Sequence, residues 1–130
     1  MADQPMNTVT HAKMQQARES LAEAQALLEA GADLPFVMNS IYYAMLYPVL
    51  ALLHARDIIA SSRREAILLF EREFIQPGLL DAVYLEALRR SSDLRPSCAC
   101  EGLRSVTRTD INELLPKAKE FFAAVEALFA

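Results

Sequence analysis

The chain must find cover for one stretch. Residues 34–53 read Leu-Pro-Phe-Val-Met-Asn-Ser-Ile-Tyr-Tyr-Ala-Met-Leu-Tyr-Pro-Val-Leu-Ala-Leu-Leu and hold no charged side chain. Only Asn39, Ser40 and the hydroxyls of Tyr42, Tyr43 and Tyr47 are polar. Drawn as a helix, the stretch shows apolar residues on every face, so other helices or lipid must surround it. Its length also suits a bilayer. Asn39, Ser40 and Pro48 would be costly facing lipid, and the tyrosines are spread through the stretch rather than gathered at its ends. The flanking segments carry apolar faces able to cover it. The expectation is the central helix of a soluble bundle, with Ile41, Ala44 and Met45 buried and no membrane.

The rest of the chain supplies the cover. In Thr8 to Ala30, Met14, Ala17, Leu21, Ala24 and Leu28 recur in steps of three and four, which is one helical seam. Gly31 is a stop, and Asp33 is placed to cap the central helix with Pro35 in its first turn. Pro48 removes one helical bond and predicts a bend. Ser62 and Glu65 have capping-box spacing, opening a short third helix with Ile67, Phe70 and Phe74 on its apolar side. Gln76-Pro77-Gly78 ends it. Leu80, Tyr84, Ala87, Leu88 and Leu94 mark a fourth helix, which Pro96 stops. The last runs from about Asp110 to Phe129, with Thr107 and Asp110 as a cap; Pro116 either kinks it or marks its start. With 130 residues, three glycines and no tryptophan, the chain reads as one all-α, up-and-down bundle of four or five helices. Residues 1–7 read as a loose tail and 8–130 as the domain.

Composition excludes several functions. The first fourteen residues lack the apolar core of a signal peptide, and two cysteines are few, so a reducing, cytoplasmic setting is expected. A net charge of −4 argues against coating nucleic acid with the whole surface. His11 and His54 have no ligand partner at metal spacing, and Cys98 and Cys100 are two where a structural zinc wants four. There is no phosphate-binding glycine loop and no nucleophilic triad. No metal and no cofactor are expected.

The charges are less even than the total. Five arginines, Arg89, Arg90, Arg95, Arg104 and Arg108, face only Asp93 and Glu101 in their segment. That segment carries +3 in a chain of −4, so the remainder carries −7. Arginine suits bidentate phosphate contacts. The competing explanation is that Arg89 and Arg90 complement the C-terminal dipole of the fourth helix.

Val37-Met38-Asn39-Ser40-Ile41-Tyr42-Tyr43-Ala44-Met45-Leu46-Tyr47, followed by Ala51-Leu52-Leu53, resembles the signature of the HEPN domain family. That signature sets an Asn and a small polar or basic residue ahead of Tyr-Tyr-Ala-Met-Phe-Tyr. Ser61-Ser62, Phe70, Phe74, Pro77-Gly78-Leu79-Leu80, Leu94-Arg95 and the closing Ala118, Phe121 and Val125 fall in the family's order. The resemblance implies a helical bundle, commonly homodimeric, often encoded beside a minimal nucleotidyltransferase. Its nuclease members cleave RNA without metal, using an arginine at the end of the late helix and a histidine four to six residues on. Arg95 matches the arginine. Residues 96–102, Pro-Ser-Cys-Ala-Cys-Glu-Gly, contain no histidine, and Cys98-Ala99-Cys100 replaces the Ala-Asp-Tyr usual in non-nuclease members.

The resemblance therefore implies a bundle that binds RNA or a nucleotide, or partners a nucleotidyltransferase, in a toxin–antitoxin or defence locus, without nuclease activity. The alternatives are a divergent metal-independent RNase using Arg95 across a dimer, and a structural dimerisation module. The expected phosphate surface is Arg89, Arg90, Arg95, Arg104 and Arg108. Tyr43 and Tyr47 are possible stacking partners expected to be largely buried.

Overall fold

Each helix begins where a polar residue stands ready to accept amide hydrogens, with one instructive exception. The computed structural model describes residues 7–95 and 106–129. The expectations for Cys98, Cys100, Arg104 and the first six residues lie outside the described residues. Helix α1 spans Thr8–Glu29. Asn7, assigned to the tail from sequence, is its cap: the side-chain oxygen accepts from the Thr10 N–H at 2.8 Å. Four amides at a helix start have no partner within the helix, and Asn7 satisfies one of them.

Gly31 ends α1 with φ +76°, while the Ala32 N–H donates back to the Leu27 carbonyl at 3.0 Å. This left-handed closure favours glycine. Helix α2, Leu34–Ala55, then returns antiparallel to α1, as two cross-links show. Ser40 near its start donates to Glu23, and His54 near its end lies 3.4 Å from Thr10. Asp33 precedes α2 but makes no side-chain cap. A cap reaches the second or third helical amide, and the second residue here is Pro35, which has none. Helix α2 continues unbroken through Pro48.

Helix α3, Arg63–Phe70, starts with Ser62 accepting from the Glu65 N–H at 3.1 Å. Glu65 reaches back to the Ser61 N–H at 2.6 Å, one residue earlier than in the usual reciprocal box, and that bond holds its carboxyl below the ordinary range. The helix then widens into a π-helical turn, Glu71–Ile75, which the apolar spacing did not signal. The Phe70 and Phe74 rings stack 6.1 Å apart across it. The Phe74 carbonyl accepts from both Leu79 and Leu80, each at 3.0 Å. Helix α4, Ala82–Leu94, is capped by Asp81 on the Val83 N–H. Arg95 leaves it extended, at φ −74° and ψ 150°, as a residue before proline must. Thr107 and Asp110 exchange hydrogen bonds of 3.0 and 3.1 Å and open α5, Arg108–Phe129. Pro116 neither starts nor breaks α5.

Among the described residues there is no strand, and the fold is the all-α bundle expected. Helices α1, α3, α4 and α5 all pack on α2. Ile41, Ala44 and Met45 are fully buried, alongside Phe70, Leu88, Ile111 and Phe121. Helix α2 is long and apolar enough to cross a bilayer, yet 72% of its most apolar window is buried inside this chain. One expectation is corrected: the helix is not enclosed on every face. Asn39, Tyr43, Tyr47, Leu50 and His54 are only partly buried, and Phe36 at their head is exposed. They recur at steps of three and four, so they form one line along the helix that reaches water.

Candidate functional site

The open line of α2 carries rings, and cations from three other elements lie over them. Tyr42 and Tyr43 are 5.2 Å apart and nearly perpendicular; Tyr43 and Tyr47 are 5.7 Å apart and tilted by 31°. From the end of α4, the Arg95 guanidinium sits 4.4 Å from the Tyr42 ring centre and 6.0 Å from that of Tyr43. From the first residue of α3, Arg63 lies 5.1 Å from Tyr43. From α1, Lys13 lies 5.6 Å from Tyr47. A cation over an aromatic face is attracted by the ring quadrupole, by about 0.5–1 kcal/mol at exposed sites and about 2 when desolvated.

The arginines singled out from sequence do not converge. Arg89 pairs with Glu71 of the π turn at 3.0 Å. Arg90 is gripped by Glu113 and Asp110 of α5, which raise its pKa further. The carboxyl of Asp110 is held below its ordinary value, first by the Thr107 N–H and then by Arg90. Arg108 is exposed at the start of α5, and Arg104 lies outside the described residues. Arg95 alone of this group reaches the tyrosines among the described residues.

Of the signature residues, Met45 is fully buried, Tyr42 is 1% exposed and Asn39 is partly buried. Ser40 is buried and donates to Glu23 at 2.5 Å. Tyr43 and Tyr47, expected to be largely buried, pack against the core and are partly buried, each with an edge in water. Sequence reasoning missed Arg63 and Lys13. The signal that pointed their way was the four-residue step from Tyr43 to Tyr47, two amphipathic rings on one face whose hydroxyls need water.

His54 Nδ1 lies 3.4 Å from both Asn7 Nδ2 and Thr10 Oγ1, at the far end of α2. Among the described residues, no group of three or more His, Cys, Asp or Glu could hold a metal ion. A cleft of about 550 Å³ lies near the C-terminal end of α2, lined by Leu52, Arg56, Phe74 and Leu128 among others. Arg56 is pinned there between the Phe74 ring at 4.2 Å and Glu73.

Comparison with known proteins agrees with the architecture. The HEPN domain profile matches residues 10–128. A UPF0332 protein of Thermotoga maritima is 30% identical over 112 residues, covering 86% of this chain and 84% of its own. A Methanocaldococcus jannaschii protein with a provisional toxin name is 26% identical over 107 residues, covering 78% of this chain and 73% of its own. The bundle order, the Asn39–Tyr47 segment on its central helix and the near full-length profile match lead to one conclusion: this chain belongs to the HEPN domain family.

Proposed function

We propose that this HEPN chain binds RNA at Arg95 and Arg63, across Tyr43, and does not cut it. The observation that carries the reading is the approach of two guanidinium groups to one partly buried ring. Stacking engages the face of a guanidinium and phosphate recognition engages its edge, so one arginine can serve both. A nucleotide offers a phosphate and a base to such a pair. The lack of a histidine in residues 96–102 supports binding without cleavage, since the family's nuclease members need one there. The provisional toxin name of a relative supports a place in a toxin–antitoxin or defence-type system.

The apolar side chains left in water favour a protein partner as well. Ile59 is 87% exposed and Leu68 54%, on the α2–α3 connection and on α3. A second copy of the chain is the partner we favour for them, and a nucleotidyltransferase the alternative.

The test is a salt titration of the affinity for a short single-stranded RNA. Arg95→Ala is expected to weaken binding about tenfold, equivalent to about 1.4 kcal/mol. It should also reduce the slope of log affinity against log salt by about one, the loss of one phosphate contact. An unchanged affinity and slope would remove Arg95 from the site.

A further inference from the structure

Six of the twelve lysines and arginines among the described residues are paired with carboxylates. Arg18 pairs with Glu126, Arg56 and Arg72 with Glu73, Arg89 with Glu71, Arg90 with Asp110 and Glu113, and Lys117 with Glu120. Lys13 and Arg63 differ. Each lies over a tyrosine ring, and among the described residues neither has a carboxylate within 4.0 Å. Among the described residues Arg64, Arg108 and Lys119 also lack a carboxylate partner, and no ring there lies beneath them. The arrangement at Lys13 and Arg63 therefore pairs positive charge with aromatic surface, the two things a single-stranded nucleic acid presents in complement.

The pairing continues along α2. Arg95 lies over Tyr42, Arg63 over Tyr43 and Lys13 over Tyr47. From Tyr42 to Tyr47 the helix rises about 7–8 Å. Beside Tyr47, on the α1 flank that runs back toward the Ser40–Glu23 contact, a shallow depression of about 210 Å³ is lined by Gln16, Glu19, Ser20 and Glu23. Its carboxylates repel phosphate, but they can accept hydrogen bonds from the N–H groups on a base edge.

We propose that Tyr43 and Tyr47, with Arg63 and Lys13 beside them, form a stacking track for unpaired RNA bases that extends the Arg95 site along α2. The proposal rests on the RNA reading of Arg95. A flexible single strand brings the opposite charge and can splay its bases onto the rings.

The experiment measures binding of the native protein to a short single-stranded RNA and to the same strand made abasic, across a salt series, with sedimentation alongside. The abasic strand is expected to bind about tenfold more weakly, since it offers charge without rings to stack. Tyr47→Leu should bring the two strands closer in affinity, and Tyr47→Phe should restore the native gap. Lys13→Ala should lower the salt slope by about one. Equal affinity for the two strands overturns the track while the Arg95 reading stands. A change in sedimentation on Tyr47→Leu with RNA binding unaltered gives the face to a second copy and also overturns it. Absence of RNA binding at low salt defeats the Arg95 reading itself.

Discussion

The Arg95 guanidinium lies 4.4 Å from the centre of the Tyr42 ring, and that ring is 1% exposed. A ring locked into the core cannot follow a wandering cation. Arg95 is therefore placed by the same packing that holds the bundle together. A site built on a rigid element is set before its ligand arrives.

Arg95→Lys tests that placement. Lysine keeps the charge but has neither a planar face to stack nor a fork for two phosphate oxygens. RNA affinity should fall about threefold to tenfold while the salt slope stays near native, because charge sets the slope. Arg90→Ala should leave RNA affinity near native and lower the thermal midpoint, since Arg90 ties α4 to Asp110 and Glu113 of α5. Fluorescence anisotropy and thermal melting read the two effects separately. A loss of RNA affinity on Arg90→Ala equal to that of Arg95→Ala would restore the wider arginine surface expected from sequence.

Asp110 makes stability depend on acid. Its carboxyl is held low first by the Thr107 N–H and then by Arg90. An unfolded aspartate takes its proton near pH 4, while the folded one resists to lower pH. The contribution is present above about pH 4 and is lost as pH falls through the folded value. Urea unfolding should therefore show native stability declining more steeply in acid than that of Asp110→Asn. At neutral pH the variant should be slightly weaker, because its amide oxygen still accepts from the Thr107 N–H while the charge that pairs with Arg90 is gone. Parallel curves for the two proteins would contradict the assignment.

Met45 reports on the core. It is fully buried on α2. Met45→Ala should cost about 2–5 kcal/mol, the range for removing a large aliphatic side chain from a packed interior. A denaturation midpoint within error of native would mean that the helix is not the centre of the bundle.

The same helix shows how far sequence reading reached. Periodicity found every helix because burial imposes a three-and-four spacing on apolar residues, as at Met14, Ala17 and Ala24. Local chemistry located Gly31, Ser62 and Thr107 because a cap or a left-handed turn involves only a few neighbours in sequence. Two things were not legible. The π turn at Glu71–Ile75 depends on how the Phe74 carbonyl meets Leu79 and Leu80 after the chain reverses. The placement of Arg63 over Tyr43 depends on where α3 docks, and Ser62 fixes only where α3 starts. Counting arginines between residues 89 and 108 grouped side chains that are close in sequence. Tertiary packing sent Arg89 to Glu71 and Arg90 to α5 instead.

A second copy should pack on the α3 side. Leu68 is 54% exposed and Ile59 87%. Sedimentation at micromolar concentration is expected to give a species of twice the chain mass, and Leu68→Asp to shift it toward a single chain with the helical circular dichroism signal intact. A single-chain species from the native protein would count against the dimer.

RNA bound at saturating concentration should remain uncut. Cleavage of an RNA backbone needs a group that takes and returns a proton near neutral pH, and histidine is the side chain suited to that. His54 is eleven residues along α2 from Tyr43, about 16 Å at the helical rise of 1.5 Å per residue. His11 stands near that same far end, on the first turn of α1. The described groups at the site are Tyr42, Tyr43, Arg63 and Arg95. Guanidinium groups stabilise negative charge but do not shuttle protons. The assay is incubation of labelled RNA with pure protein, followed by denaturing electrophoresis. Intact RNA is expected, with binding confirmed in the same sample. Cleavage that disappears on Arg95→Ala would show that the site turns over without the family's histidine and would end the non-cleaving reading.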